Sequence, residues 1–377
     1  MNWALIAHLT GRGHEVDILL TRPRLPRPLT RLPGNVGVSG PRLWRAGSWV
    51  MAAEPRAALA GLARAILPSR AIRDMRRASG GADAVLGAFP TAAQAAWCGE
   101  RIAASRPDAI LIDTIFRAPV LDHPGLAGIP SALIAHDVFH RRHAALRLAG
   151  YRVEPPVLTR QDEAELLGKA NALVAIQEAE AELLRDLCPG LPVISAPMPA
   201  IPCPRPEPVE RDKRRLVFVG SDSLPNLDGL NWFLAEIWPL LALHRSGITL
   251  DLVGDSGMVL GGLPEGVHRL GRQPDLAEPL HQAALAIAPL RVGSGLKIKL
   301  LDYARHGLWT VATPPSLEGF APDPAAPFIR GEGAVDFAEA ILAALDDPPG
   351  EAAALDYITR HYGPDTVFAP LCELLDA

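Results

Sequence analysis

Residues 288–307, APLRVGSGLKIKLLDYARHG, combine a strand end, glycines and paired lysines. An apolar run ends at Leu290, and a short loop follows, Arg291-Val292-Gly293-Ser294-Gly295. A helix is predicted over 295–307, with Lys297 and Lys299 in its first turns. Unpaired N–H groups at a helix start, glycines that admit a close approach and two ammonium groups make an anion site. Lys299 and Asp302, three apart, share a helix face. A diphosphate at the helix tip, with a carboxylate further along for ribose hydroxyls, matches a nucleotide. Plainer readings fit too: the glycines as a tight turn, the lysines as a solvated face, and Asp302 as the ion-pair partner of Lys299 or Arg305. A second turn, Gly220-Ser221-Asp222-Ser223, leads to Asn226 and Asp228, which fit helix caps as well as a site. His136-Asp137 follows the apolar run SALIA, and Asp113-Thr114 stands near the end of DAILIDTI. Residues at the C-terminal ends of parallel strands face a ligand crevice, although a lone His is more often structural.

The elements that would position these residues alternate along the chain. A helix over 2–11 leads through Gly13 into EVDILL (15–20). Residues 21–90 are Pro- and Arg-rich and read as irregular with short helices. A helix over 91–105, DAILIDTI (108–115), SALIAHDVF (131–139), a helix near 158–169, NALVAI (171–176), a helix over 177–187 and VISAP (193–197) follow. Such short, nearly continuous apolar strands belong to parallel sheets covered on both faces. Six prolines in PMPAIPCPRPEP (197–208) then break the pattern and predict a stiff connection. LVFVG (216–220), a helix over 226–243, ITLDLVG (248–254), VHRLGR (267–272), a helix at 275–283, ALAIAPL (284–290), the helix 295–307 and WTVATP (309–314) form a second set. Helices near 333–346, 350–361 and 365–376 close it. The expected fold is α/β: two doubly wound, Rossmann-like domains facing a cleft. Their expected bounds are 1–197, a linker 198–212, and 213–364, with the last helix, 365–377, packing back on the first domain.

The chain has 377 residues, 49% apolar, enough for two packed domains and against wholesale disorder. No apolar run is long enough to span a bilayer, and MNWALIAHLTGRGHEV lacks the basic flank and cleavage site of a signal peptide, so a cytoplasmic location is expected. Cys98, Cys188, Cys203 and Cys372 lie far apart without a C-x-x-C pair, which speaks against a disulfide framework or a zinc site. The net charge of -5 hides an asymmetry: residues 1–80 hold 13 Arg, no Lys and 4 acids, a net +9, against −14 for the rest. Within 44–78, Trp44, Trp49 and Met51 alternate with arginines. A solvated helical face and a surface lying on anionic lipid both fit. No nucleic-acid module is present, so no nucleic-acid partner is expected.

The segment 288–320, with 216–241 and 250–290, resembles the nucleotide-sugar-binding domain of the GT-B glycosyltransferases, in the large retaining family four. HLTGRGHEVDILL (8–20), DAILIDT (108–114), IAHDVFHRR (134–142) and 170–189 extend the resemblance through all but the variable 21–90. It implies transfer of a hexose from a nucleoside-diphosphate sugar to a hydroxyl acceptor, with retention and without a required metal or other cofactor. Asp302 then stands where the family's ribose-binding Glu is usual, and Ser294 where a first acid is often found. Gly293, Ser294 and Gly295 would hold the diphosphate, with Lys297, Lys299 and Arg291 adding charge. Gly220, Ser221 and Asn226 would face the phosphates, Arg272 and Gln273 the base, and Glu318 the donor side. His136 would contact sugar and acceptor; His136, Lys297 and Ser294 are thus the expected catalytic groups. The resemblance also implies an opening strand that this chain lacks, so the first domain is expected to be missing a central strand, through a start placed too late or a damaged acceptor domain. Where acceptors usually dock, the basic 21–80 segment points to a lipid-linked or anionic acceptor and to peripheral membrane contact through 44–78. A GT-B-like nucleotide-sugar epimerase and a non-catalytic nucleotide-sugar-binding protein remain alternatives. A nicotinamide dehydrogenase is disfavoured, because no G-x-G-x-x-G follows a first strand.

Overall fold

The computed structural model describes residues 2–21, 29–32, 34–52, 59, 62, 84–148, 150–292 and 296–376. The chain divides into two compact units, 1–197 with 368–377, and 198–367.

Unit 1 opens with helix α1 (Asn2–Gly11) and strand β1 (Val16–Leu19). Within the stretch 21–90 read as irregular, residues 29–52 instead form strands β2 (Leu29–Arg31), β3 (Val36–Ser39), β4 (Leu43–Ala46) and β5 (Trp49–Ala52), while most of 53–83 lies outside the described residues. β1 pairs with β3 in parallel, while β2, β5 and β4 form an antiparallel sheet. Local propensity fails here because each strand is too short to carry a periodicity, and pairing supplies the order. Val50 and Leu32 face the small core under this sheet, whereas Trp44, Trp49, Met51 and Leu29 are exposed. Within 44–78, residues 44–52 belong to a hairpin, Leu59 and Leu62 are helical, and the rest of the expected helical face lies outside the described residues.

Next come β6 (Ala84–Val85), α2 (Ala92–Ser105), β7 (Ile110–Asp113), β8 (Ser131–Ala135), α3 (Phe139–Leu148), β9 (Val153–Glu154), α4 (Arg160–Leu167), β10 (Ala172–Ala175), α5 (Glu178–Leu187) and β11 (Val193–Ser195). β7, β8, β10 and β11 form a parallel sheet in that order, separate from the β1–β3 pair. β8 and β10 are buried along their whole length, as expected for strands covered on both faces. Thr91 caps α2 through a capping box with Gln94, and Thr159 caps α4 with Asp162.

Unit 2 contains β12 (Asp212–Val219), α6 (Leu224–Trp232), α7 (Trp238–His244), β13 (Thr249–Val253), α8 (Ser256–Val259), β14 (Val267–Gly271), α9 (Ala277–Gln282), β15 (Ala283–Ala288), α10 (Ile298–Arg305), β16 (Thr310–Ala312), α11 (Pro314–Leu317) and β17 (Phe328–Arg330). Helices α12 (Gly333–Asp346), α13 (Glu351–Tyr362) and α14 (Pro364–Asp376) close the chain. The predicted helix 226–243 is two helices joined by a π turn at Phe233–Ile237, just before Pro239, whose missing N–H interrupts the ladder. All six strands are parallel, in the order β14-β13-β12-β15-β16-β17. Counted from the first strand of the unit this is the 3-2-1-4-5-6 order of dinucleotide folds, with its switch point between β12 and β15.

The Pro-rich segment is not a free tether. Ala200 N–H donates to the Tyr362 carbonyl (2.7 Å), Cys203 N–H to the Arg305 carbonyl (2.6 Å), and Arg205 pairs with Glu351 (3.3 Å). At the other end of the chain, Phe368 of α14 stacks on His8 of α1 (5.3 Å between ring centres). Among the described residues no helix is long and apolar enough to cross a membrane.

Candidate functional site

The switch point of unit 2 gathers most of the sequence candidates. β12 ends at Val219, and Gly220 follows with its N–H on the Val253 carbonyl (2.9 Å). A Cβ at Gly220 would sit 2.5 Å from the Phe218 ring, so only glycine fits this turn. Asn226 lies inside α6, not at its cap, which is Ser223. Its side chain is buried, donates to the Ser221 carbonyl (3.1 Å) and accepts from Lys299 Nζ (2.6 Å). Lys299 also stands 4.1 Å over the Phe218 ring. Its two partners lie on and just after β12, so α10 is keyed to the strand that begins the sheet. Tyr303 adds a second link: buried, its hydroxyl accepts from Val219 N–H (2.7 Å), and burial raises its pKa. Burial, and after it the charge of Lys297, pushes Lys299 down to about 7. Burial also lowers Lys297, against the attraction of Glu318.

Several expectations change. α10 starts at Ile298, so Lys297 occupies the cap position rather than the first turn. There it still feels the charge of Glu318, an exposed residue just after α11. Gly293, Ser294 and Gly295 lie outside the described residues. Arg291 is engaged by Asp228 in a two-pronged pair (2.6 and 3.0 Å), so neither Asp228 as a helix cap nor an uncommitted Arg291 charge is found. Arg272 makes a similar pair with Asp255 across the ends of β13 and β14, and Gln273 turns to the Leu270 carbonyl (2.7 Å). Asp302 pairs with Arg305 (3.1 Å) rather than Lys299; burial raises its pKa and Arg305 opposes the rise.

Thr313 and Ser316 were not singled out in the sequence. Ser316 donates to the Ala288 carbonyl (2.7 Å) and accepts from Leu290 N–H (3.3 Å), while the Thr313 hydroxyl donates to the Leu290 carbonyl. Together they fix the end of β15 and Leu290 just after it. The Thr-Pro-Pro-Ser stretch after a buried strand, with Pro at a helix start, was their available signal.

In unit 1, His136 Nε2 lies 2.5 Å from Asp113 Oδ1, joining the ends of β8 and β7. Desolvation opposes ionisation of Asp113, but the His136 hydrogen bond and charge, with Asn2 and Arg117, outweigh it and hold its pKa low. Thr114 adopts φ +70°, a strained conformation for a β-branched residue, and its buried hydroxyl has no hydrogen-bond partner. Two acids missed in the sequence stand behind this pair. Glu163, fully buried, accepts from the backbone N–H of Phe139 (2.8 Å) and His140 (2.6 Å) and contacts the His140 ring (2.7 Å). It thereby anchors the start of α3 directly after His136-Asp137. Glu180 is raised to about 7 by burial and the nearby Asp137 charge. Nothing local in sequence marks either acid, because each stands among other acidic residues of its helix.

These features define a six-stranded parallel α/β unit with lysines beside its switch point. Residues 213–347 match the family described as glycosyl transferases group 1. Similar solved structures include a sucrose-phosphate synthase from Thermosynechococcus elongatus (14% identity, 99% of this chain and 91% of that one, TM-score 0.60). HepE from Anabaena, in complex with UDP, is another (12%, 75% and 82%, TM-score 0.56), as is TarM of S. aureus (12%, 75% and 58%, TM-score 0.55). The chain thus spans less than two thirds of the length of TarM, and at these identities the likeness is one of fold. No curated protein matches it by sequence. Residues 213–347 thus carry the match to the group 1 glycosyltransferases, and the chain as a whole shares the GT-B fold of these solved structures.

Proposed function

We propose that the protein transfers a hexose from a nucleoside-diphosphate sugar to a hydroxyl acceptor, with retention and without a required divalent cation. The observation that carries this reading is the pair Lys297 and Lys299 beside the switch point, inside the segment matched by the family. In the reaction the bond from the anomeric carbon to the diphosphate breaks, and its electron pair leaves with the phosphate oxygen. The acceptor oxygen bonds that carbon, and its proton passes to the departing phosphate. Lys297, Lys299 and the amides at the start of α10 stabilise the charge that develops on the diphosphate. Asp302 accepts from the ribose hydroxyls once Arg305 shares it, and His136, held by Asp113, is the catalytic candidate of unit 1. HepE binds UDP, so uridine donors are the first to try.

Calorimetric titration with UDP- and GDP-sugars tests the site. Binding of one donor class, weakened at least about 10-fold in Lys297→Ala and in Asp302→Ala, is the expected result. Equal affinity in both variants rejects the assignment. An epimer formed from the donor alone, seen by NMR, would favour the epimerase.

The exposed Trp44, Trp49, Met51 and Leu29 on one sheet face, within the basic first 80 residues, support a lipid-linked acceptor and contact with anionic lipid. Sedimentation with anionic but not neutral vesicles, reduced in the Trp44→Ser/Trp49→Ser variant, is the expected outcome. Equal partitioning onto both vesicle types refutes it.

A further inference from the structure

Tertiary structure brings together three side chains that sequence spacing keeps apart: Cys203 of the Pro-rich segment, His281 of α9 and His306 just after α10. One potential ligand atom from each lies within 4.8 Å of the others. His306 is completely buried. Its Nδ1 donates to the Asp302 carbonyl (2.6 Å), which leaves the Nε2 lone pair free, and that buried atom has no hydrogen-bond partner. An imidazole with one nitrogen tied to a backbone carbonyl and the other presenting a lone pair is the arrangement of a metal ligand. His281 is also buried, and its Nε2 lies 3.0 Å from the Cys203 carbonyl oxygen. When it donates there, its Nδ1 is left as the acceptor.

The surrounding backbone is rigid. Arg211 donates to the carbonyls of Leu280 (2.8 Å), Ala283 (2.9 Å) and His306 (2.8 Å), bracing the chain on both sides of His281 and at His306 itself. Cys203 N–H donates to the Arg305 carbonyl (2.6 Å). We propose that Cys203, His281 and His306 bind a single zinc-class transition-metal ion, which clamps the Pro-rich segment to α9 and α10. Thiolate with two imidazoles is a soft-to-borderline donor set suited to zinc. Zinc bonds of about 2.0–2.3 Å place tetrahedral ligands roughly 3.3–3.8 Å apart, so the three side chains need close by at most about 1.5 Å. Water completes the fourth position. Cys203 gives up its thiol proton to solvent as the metal binds. The site stands at the opposite end of α10 from Lys297, so the ion holds the helix rather than touching the donor.

Cobalt titration of the full chain tests the proposal. One equivalent of Co2+ is expected to bind with thiolate-to-cobalt charge-transfer absorption, and Zn2+ is expected to displace it. Cys203→Ser should abolish that band, and His306→Gln should weaken binding at least about 100-fold, more than the loss of an outer-shell group. Cys372→Ser, which removes a different Cys–His contact, should leave the titration unchanged. Should His306→Gln not fold, the half-exposed Cys203→Ser decides. Absence of stoichiometric binding, or a charge-transfer band that persists in Cys203→Ser, overturns the proposal.

Discussion

Replacing Lys299 by Met is expected to weaken nucleotide-sugar binding by about 30- to 100-fold, the loss of one charge-assisted contact of roughly 2–3 kcal/mol. The same substitution should leave thermal stability unchanged or raise it. The reason is that the lysine occupies a desolvated position, on Asn226 and over the Phe218 ring, which depresses its pKa to about 7. A cation whose folded pKa is depressed contributes stability present above its unfolded pKa and lost as pH falls through the folded value. At pH 7 the folded state therefore already bears much of that penalty, and Met, of similar length, relieves it while keeping the ring contact. A diphosphate beside the ammonium raises the pKa again. Donor binding at pH 8 is thus expected to take up close to one proton, read as a dependence of the calorimetric heat on the buffer's ionisation enthalpy. Affinity should fall as pH rises above about 7. Proton uptake that survives in Lys299→Met assigns it elsewhere and ends this account of the site.

Glu163→Ala should be among the most damaging single substitutions in unit 1. It leaves the Phe139 and His140 N–H groups and the His140 ring without their acceptor in a fully buried place. Stranded buried donors of this kind cost about 3 kcal/mol or more together, a fall of roughly 6–12 °C in the melting temperature of a unit this size. Glu163→Gln keeps one acceptor and should lose about half as much. Because these donors open α3 directly after His136-Asp137, the Ala variant should also lower turnover more than donor affinity. A melting temperature within about 2 °C of the parent protein would show that α3 is anchored by other means.

Much of unit 2 was legible from residue order alone. The run APLRVGSGLKIKLLD states a buried strand and a helix that carries Lys299, as found, and local spacing is all such a feature needs; the glycines between them lie outside the described residues. The alternating strands and helices likewise imposed parallel α/β architecture, since short apolar strands demand cover on both faces. Region 21–90 was not legible, because its strands of three or four residues are stabilised by cross-strand partners and carry no pattern of their own.

Sequence by itself determined which groups are present and which lie next to one another along an element: Lys297 and Lys299, His136 and Asp137, the glycines of the turns. Only tertiary structure decided their allegiances. It committed Arg291 to Asp228 and Arg272 to Asp255, seated Lys299 on Asn226, and joined His136 to Asp113. It also gathered Cys203, His281 and His306 from three separate segments. The physical reason is range. Helix caps, turns and glycine loops are set by a few neighbouring residues, whereas an ion pair or a ligand cluster depends on which segments the sheet order and burial bring to one place.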